Sequence, residues 1–162
     1  IRRKAGEDVS LYGMGTTMVA ATLMGHYLQV ANVGDSRLYI VNDEIRQITR
    51  DHSLVEEMVR LGGIKAEEAK NHPKRNVLMK ALGAAEVCEL DIFDVDTDVD
   101  GIMLCSDGLT NMLTVEQIER VLNDEELNIE QKVVKLIRKS NARGGTDNIT
   151  IAYLVNESED TL

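Results

Sequence analysis

The sequence has few cysteines and no long apolar run. Its two cysteines, Cys88 and Cys105, form no C-x-x-C pair, so we expect small buried residues of a reducing compartment, although a disulfide between them stays possible. No apolar run approaches the roughly 20 residues of a membrane-spanning helix, and the first residues lack the apolar core of a signal peptide. The sequence therefore predicts a soluble cytoplasmic protein without a membrane partner.

Positive charge is also scarce. Lys and Arg number 18 against 28 Asp and Glu, which gives a net charge of -10. Such a chain is repelled by nucleic-acid backbones and anionic membranes, so we expect no nucleic-acid partner. Metal cations and basic partners fit the charge better. With 162 residues, 43% of them hydrophobic, the chain is long enough for one domain with its own core.

Several catalytic motifs are absent from the sequence. There is no G-x-S-x-G element, no phosphate loop G-x-x-x-x-G-K-[ST] and no dinucleotide fingerprint. The three histidines, His26, His52 and His72, show no metal-ligand spacing, and we expect them in turns or at the surface. A serine hydrolase and a nucleotide-hydrolysing enzyme therefore have no support.

Residues 16–49 contain apolar runs separated by hairpin-sized loops, and the simplest topology for them is an antiparallel meander. Apolar residues at helical spacing follow, and Thr114 and Asn128 stand at helix-capping positions. The polar tail is expected to fray. The patterns predict strands at 18–24, 27–33, 37–41, 44–48, 87–95, 101–106 and 149–155, and helices at 54–61, 65–71, 114–123 and 128–141.

Three aspartates share one sequence context. Asp35, Asp107 and Asp147 each lie beside or close to glycine where an apolar strand begins or ends. Carboxylates that converge at strand ends suit Mg²⁺ and Mn²⁺, which prefer oxygen ligands. The alternative is that each forms an ordinary turn, because Asp-Gly is common turn chemistry.

A second acidic segment imitates a calcium loop. Asp96, Asp98 and Asp100 are followed by Gly101 and later by Asp107, in the order of the D-x-D-x-D-G-x₅-E motif. The flanking residues alternate like strands, whereas a calcium loop is flanked by helices. An acidic, solvated strand edge that discourages pairing is the alternative interpretation of these aspartates and of Asp94.

Six short motifs, in order along nearly the whole chain, resemble those of the metal-dependent (PPM-type, type 2C) serine/threonine phosphatases, and the bacterial branch is most similar. The six segments are Gly13-Met14-Gly15-Thr16-Thr17, Val33-Gly34-Asp35-Ser36-Arg37, Asp51-His52-Ser53-Leu54-Val55, His72-Pro73-Lys74-Arg75-Asn76, Leu104-Cys105-Ser106-Asp107-Gly108-Leu109 and Gly145-Thr146-Asp147-Asn148-Ile149-Thr150.

The resemblance implies an α+β fold, an α-β-β-α sandwich of two antiparallel sheets flanked by helices. It also implies that Asp107 and Asp147 are ligands of the catalytic metal pair and that Asp35 helps to hold a third ion, giving two to three Mg²⁺ or Mn²⁺ ions per intact site. Residues 53–82 correspond to a flap beside the active site, where Arg75 and Asn76 are expected to contact substrate.

The implied activity is hydrolysis of phosphoserine and phosphothreonine on proteins by a metal-activated water, with the products of a partner Ser/Thr kinase as substrates. The family's phosphate-binding Arg and its D-G-x-G-G-H element, with a metal-bridging Asp and a proton-donating His, are absent from this sequence. We therefore expect residues 1–162 to be the C-terminal portion of a single domain, with strands missing. Alone, this portion is expected to be inactive and to self-associate. The alternatives are a non-catalytic phosphatase-like interaction module and, less favoured, a calcium-binding module.

Overall fold

The computed structural model describes residues 1–96 and 98–156. Thr97 and residues 157–162, including the tail that we expected to fray, lie outside the described residues. The chain divides into two compact units, of which the first comprises Ile1–Ser36 and Arg50–Val95 and the second comprises Arg37–Thr49 and the described residues from Asp96 onward. No helix in the described ranges is long and apolar enough to cross a membrane.

The first unit contains a three-stranded sheet in the order β1-β2-β5. The strands β1 and β2 form an antiparallel hairpin in which Met24 pairs with Tyr27, closed by Gly25 at a φ of 65°. The sequence predicted this two-residue turn. The elements of the unit are α1 (Arg2–Glu7), a 3₁₀ turn (Val9–Leu11), β1 (Met18–Met24), β2 (Tyr27–Val33), α2 (Leu54–Arg60), α3 (Ala66–Ala69) and β5 (Asp91–Asp96).

The second unit contains a four-stranded antiparallel sheet in the order β4-β3-β6-β7. Its buried cluster joins the sheet to the helices through residues such as Tyr39, Met103, Ile118 and Leu136, all fully buried. This burial is the main source of stabilisation. The elements of the unit are β3 (Arg37–Val41), β4 (Ile45–Gln47), β6 (Gly101–Cys105), α4 (Asp107–Thr110), α5 (Val115–Leu122), α6 (Ile129–Ala142) and β7 (Ile151–Val155).

The α+β class with two antiparallel sheets and helices is confirmed, but the continuous meander is wrong. The hairpins β1–β2 and β3–β4 form, whereas β2 and β3 belong to different sheets. The two strands diverge because the chain on each side of the break is bound to a different segment. Strand β3 is paired on both sides, by β4 and β6, and the Gly34 carbonyl after β2 accepts the His52 N–H (2.9 Å).

The helices α2, predicted from apolar spacing, and α5 and α6, predicted with caps at Thr114 and Asn128, are confirmed. The Ser53 hydroxyl accepts the Glu56 N–H (3.3 Å) at the start of α2, and Asn128 and Gln131 exchange both bonds of a capping box at α6. Helices α1 and α4 were not predicted from the sequence. Strand β5 begins at Asp91 and β7 at Ile151, later than the apolar runs indicated.

Both cysteines are free thiols, with Cys105 buried and Cys88 half-buried. The prediction of a buried, unpaired cysteine is thus confirmed for Cys105, and the two cysteines form no disulfide.

Candidate metal centre

Asp107 lies at the junction between a buried strand and a short helix. Strand β6 ends at Cys105, and Asp107 is the first residue of α4, so it belongs to a helical turn and not to an Asp-Gly β-turn. The Asn111 side-chain amide donates to its carboxylate (Nδ2 to Oδ2, 3.0 Å). Because Asn111 follows by one helical turn, the helix itself orients the Asp107 carboxylate.

Asp147 lies in the loop between α6 and β7 and is exposed to solvent. Its Oδ1 accepts the N–H of the next residue, Asn148 (2.7 Å). Two glycines precede it, and both adopt positive φ angles: 123° at Gly144 and 51° at Gly145. Glycine takes this conformation without a steric penalty, so the loop can reverse direction just before the carboxylate.

Pairing of two backbone segments holds both carboxylates at the same end of the second sheet. In the β6–β7 ladder Cys105 pairs with Ile151, and the ladder is extended by a bond from the Ser106 N–H to the Thr150 carbonyl (3.0 Å). The Ser106 hydroxyl donates to the Asn148 carbonyl and accepts the Thr150 N–H, both at 3.0 Å. Ser106, directly before Asp107, is thus hydrogen-bonded to the segment that follows Asp147.

Gly108 allows the two segments to approach closely. A Cβ atom at this position would lie 2.3 Å from the Asn148 carbonyl oxygen, closer than real Cβ contacts. The sequence suggested turn chemistry for the Asp-Gly pair, but the glycine is required here for space between backbones.

The Asp107 carboxyl is electrostatically strained. Its pKa is raised, first because burial disfavours the ionised form and second because the Asp147 charge repels it. Hydrogen bonds from the Gly108 N–H and from Asn111 oppose the rise. Two oxygen-donor groups that repel each other suit a hard divalent cation, whose charge would relieve the repulsion.

The pair is smaller than a complete protein metal site. Within residues 1–96 and 98–156, no three His, Cys, Asp or Glu side chains form a group that could hold an ion. Two carboxylates still fit Mg²⁺, which commonly keeps several waters and takes one or two protein carboxylates.

Asp35 lies in the first unit, in the half-buried turn that follows β2. Gly34, directly before it, has a φ of 102°, and both of its backbone polar groups are bound by His52. Asp35 thus lies between the end of β2 and the start of β3, the strand-end position that the sequence predicted. Its role as a ligand stays a prediction.

The interpretation of His52 as a turn or surface residue is wrong. Only 6% of the residue is exposed, and its ring contacts Gly34 and Asp91. These partners are 18 and 39 positions away in the sequence, so no local spacing rule links them. His26 is exposed and His72 is half-buried.

The segment predicted as a flap, residues 53–82, contains α2 and α3. The Leu54 N–H donates to the Val77 carbonyl within the segment (2.8 Å), and Leu82 at its end forms an isolated antiparallel bridge with Thr16. Arg75 and Asn76 lie in the turn after Pro73, and both are exposed. They are accessible to a ligand, and their contact with substrate stays a prediction.

The calcium-loop hypothesis is not supported by the flanking structure. The segment that carries Asp98 and Asp100 connects strands β5 and β6 and not two helices. Asp96 accepts the Asp98 N–H (3.1 Å), and the described aspartates of the segment are exposed. Strand β5 is an edge strand, as the alternative interpretation predicted.

Comparison with known proteins identifies relatives of the chain. The model of the family "Protein phosphatase 2C" matches residues 4–63. "Serine/threonine phosphatase stp" of Listeria innocua is 46% identical over 149 residues, which are 91% of this chain and 59% of that protein. "Protein phosphatase PhpP" of Streptococcus pneumoniae is 34% identical over 157 residues, 96% of this chain and 63% of that protein.

Solved structures give the same result. Serine/threonine phosphatase Stp1 of Staphylococcus aureus superimposes with a TM-score of 0.92 at 36% identity, over 97% of this chain and 62% of that one. The Mycobacterium tuberculosis serine/threonine phosphatase PstP/Ppp gives a TM-score of 0.84 at 34% identity, over 93% and 63%. The chain thus spans about three fifths of the length of these relatives. Sequence similarity and close structural likeness agree that the chain belongs to the Protein phosphatase 2C family.

Proposed function

We propose that this chain contributes Asp107 and Asp147 to the metal centre of a phosphatase that hydrolyses phosphoserine and phosphothreonine on proteins. The observation that supports the proposal most directly is that Ser106 and the β6–β7 ladder hold these two carboxylates at the same end of the second sheet. The type 2C family generally depends on Mg²⁺ or Mn²⁺. Two to three ions per intact site, with Asp35 as a ligand of a further ion, are part of the proposal.

Each carboxylate has a defined task in this proposal. The Asn111 amide and the Gly108 N–H both bind the Asp107 carboxylate, which restricts its orientation. Asp147 is restrained in the same way by the Asn148 N–H. Bound Mg²⁺ or Mn²⁺ would supply Lewis acidity, making a water more acidic and neutralising phosphoryl charge. The chain's own contribution is to hold two anionic groups close together in advance.

The proposal extends to substrates and location. Arg75 and Asn76 are exposed turn residues of the flap, and their guanidinium and amide groups can bind phosphate oxygens. Phosphoproteins made by a partner Ser/Thr kinase are the proposed substrates. The two free thiols support a reducing, cytoplasmic location. Residues 1–162, with the flap at 53–82, are proposed to be the C-terminal portion of one phosphatase domain.

Titration calorimetry with Mn²⁺ on the 162-residue chain tests the ligand assignment. Asp107→Asn and Asp147→Asn keep the side-chain volume but remove the charge, and each is expected to weaken binding by at least roughly tenfold. Asp98→Asn, the same change at an exposed acid of the β5–β6 segment, is the matched control and should bind as the wild type does. Equal affinity in Asp147→Asn and wild type would refute the assignment.

The same titration separates the alternatives. A non-catalytic interaction module predicts that Asp107→Asn and Asp147→Asn leave any Mn²⁺ binding by the wild type unchanged. A calcium-binding module predicts Ca²⁺ binding that is preferred over Mn²⁺ and is lost in Asp98→Asn.

A further inference from the structure

A single buried residue, His52, binds both backbone polar groups of Gly34. The His52 N–H donates to the Gly34 carbonyl (2.9 Å), and the Gly34 N–H donates to Nδ1 of the His52 ring (3.1 Å). Gly34 is itself buried, so its N–H has no access to water as a substitute acceptor. The backbone directly before Asp35 is therefore held by His52 from both sides.

The hydrogen bonds assign the tautomer of the His52 ring. Because Nδ1 accepts the Gly34 N–H, the proton of the neutral ring resides on Nε2. Nε2 lies 3.0 Å from Oδ2 of Asp91 and donates to it. Lys80 lies 3.5 Å from the other Asp91 oxygen. Burial opposes ionisation of Asp91, but the bonds from His52 and Lys80 outweigh it and lower the pKa of this carboxyl.

The turn has little freedom to adopt another shape. Gly34 has a φ of 102°, and a Cβ atom there would lie 2.3 Å from the Thr17 Cγ2. The hydroxyls of Thr17 and Ser36 lie 3.0 Å apart, so the residue after Asp35 is also bound to Thr17, directly before β1. Asp35 is thus fixed between two anchored neighbours, and His52 is the anchor on one side.

His52 also joins this turn to the base of the flap. Its carbonyl accepts the Met79 N–H (2.7 Å), next to the isolated bridge between Ser53 and Leu78. One residue therefore connects the Asp35 turn, the edge strand that carries Asp91 and the returning segment of the flap.

We propose that His52 is a positioning residue for Asp35: its Nδ1 holds the Gly34 N–H and so fixes the direction of the carboxylate that follows. Asp91 fixes the ring so that Nδ1 remains the acceptor. The effect on metal binding rests on the proposed function of Asp35, whereas the effect on the turn does not.

Two substitutions at His52 separate its ring nitrogens. The side-chain oxygen of Asn can occupy the position of Nδ1, so His52→Asn keeps an acceptor for Gly34 and loses the donor to Asp91. The side-chain amide of Gln can occupy the position of Nε2, so His52→Gln keeps the donor and loses the acceptor. If His52 only stabilised the fold, His52→Gln would be less destabilising than His52→Asn, because Gln fills more volume and keeps the Asp91 bond.

Amide hydrogen exchange of the 162-residue chain without metal gives the first measurement. We expect Gly34 to exchange about three to ten times faster in His52→Gln than in His52→Asn, because only Gln leaves its N–H unbound. Mn²⁺ titration gives the second measurement. His52→Gln should lose roughly ten-fold or more of the affinity that depends on Asp35, while His52→Asn stays near the wild type.

The proposal is overturned if the Gly34 amide exchanges faster in His52→Asn than in His52→Gln. If neither variant folds, the wild type decides by NMR. A scalar coupling between the Gly34 nitrogen and an unprotonated Nδ1 supports the proposal, and a protonated Nδ1 refutes it. If Asp35→Asn does not alter Mn²⁺ binding, the ligand role of Asp35 fails, and Gly34 exchange still decides the positioning role.

Discussion

Replacement of Gly108 by Ala tests how the chain brings Asp107 and Asp147 together. The added methyl group would lie 2.3 Å from the Asn148 carbonyl oxygen and 2.9 Å from its carbon. Ordinary contact begins at about 3.4 Å, so the Asn148 peptide has to retreat by roughly 1 Å. Since Asn148 directly follows Asp147, the carboxylate moves with the peptide, and the Ser106 bonds are stretched.

The expected loss of stability follows from opposing effects. Forcing a methyl group into a filled space costs about 1–3 kcal/mol. Alanine in place of glycine within a helix returns about 0.5–1 kcal/mol, since the unfolded chain has less freedom. The net destabilisation is then between about 0 and 2.5 kcal/mol, which lowers the melting temperature of a chain of this size by up to roughly 10 °C. Displacement of Asp147, a proposed ligand, is expected to weaken Mn²⁺ binding by roughly tenfold or more.

Thermal unfolding and Mn²⁺ calorimetry measure these two effects on the 162-residue chain. Gly6→Ala is the matched control, because Gly6 also lies in a helix and a Cβ atom there meets nothing within 4 Å. The control should be as stable as the wild type or slightly more so. A Gly108→Ala chain with unchanged melting temperature and unchanged Mn²⁺ affinity would refute the close-approach argument.

Three further predictions concern charge, activity and association. Because the pKa of Asp107 is raised in the fold, ionisation of this carboxyl destabilises the metal-free fold once the pH exceeds the ordinary Asp pKa. Asp107→Asn should therefore melt at a higher temperature than the wild type at neutral pH. A lower melting temperature of the variant contradicts this prediction. The 162-residue chain alone, which has no D-G-x-G-G-H element, should show negligible turnover of a phosphopeptide with Mn²⁺, and measurable turnover abolished by Asp147→Asn would disprove the expectation. Strand β1 is an edge strand with exposed apolar side chains, since Leu23 is 67% and Met24 46% exposed. We expect this edge to cause self-association, which Leu23→Lys should reduce. Light scattering that finds only monomeric wild type would refute this prediction.

Local signals in the sequence predicted most helices and strands because the determinants are themselves local. The Ser53 cap of α2 and the capping box of Asn128 and Gln131 are formed by residues three positions apart. The hairpin turn at Gly25 depends on one residue with positive φ. Such features do not require knowledge of any distant segment.

The sequence could not predict which sheet each strand joins. Strands β2 and β3 are separated by three residues, a spacing typical of a hairpin, yet β3 pairs with β6, more than 60 positions later. The choice depends on long-range pairing and on the anchoring of Gly34 by His52. Helix α4 was missed for a related reason, since four residues including glycine have little helix propensity of their own.

Acid beside glycine at the end of a strand was the sequence signal for the candidate ligands, and the structure supplies its physical cause. Gly108 is needed because the Asn148 backbone occupies the space of a side chain, and Gly34 is needed because its φ is positive and Thr17 leaves no room. In each case a backbone packed this tightly fixes the adjacent carboxylate, Asp107 or Asp35. An Asp-Gly pair in a solvated turn has no such requirement. Replacing glycine by alanine therefore distinguishes a held carboxylate from a turn residue, by the loss of Mn²⁺ affinity that only the former predicts.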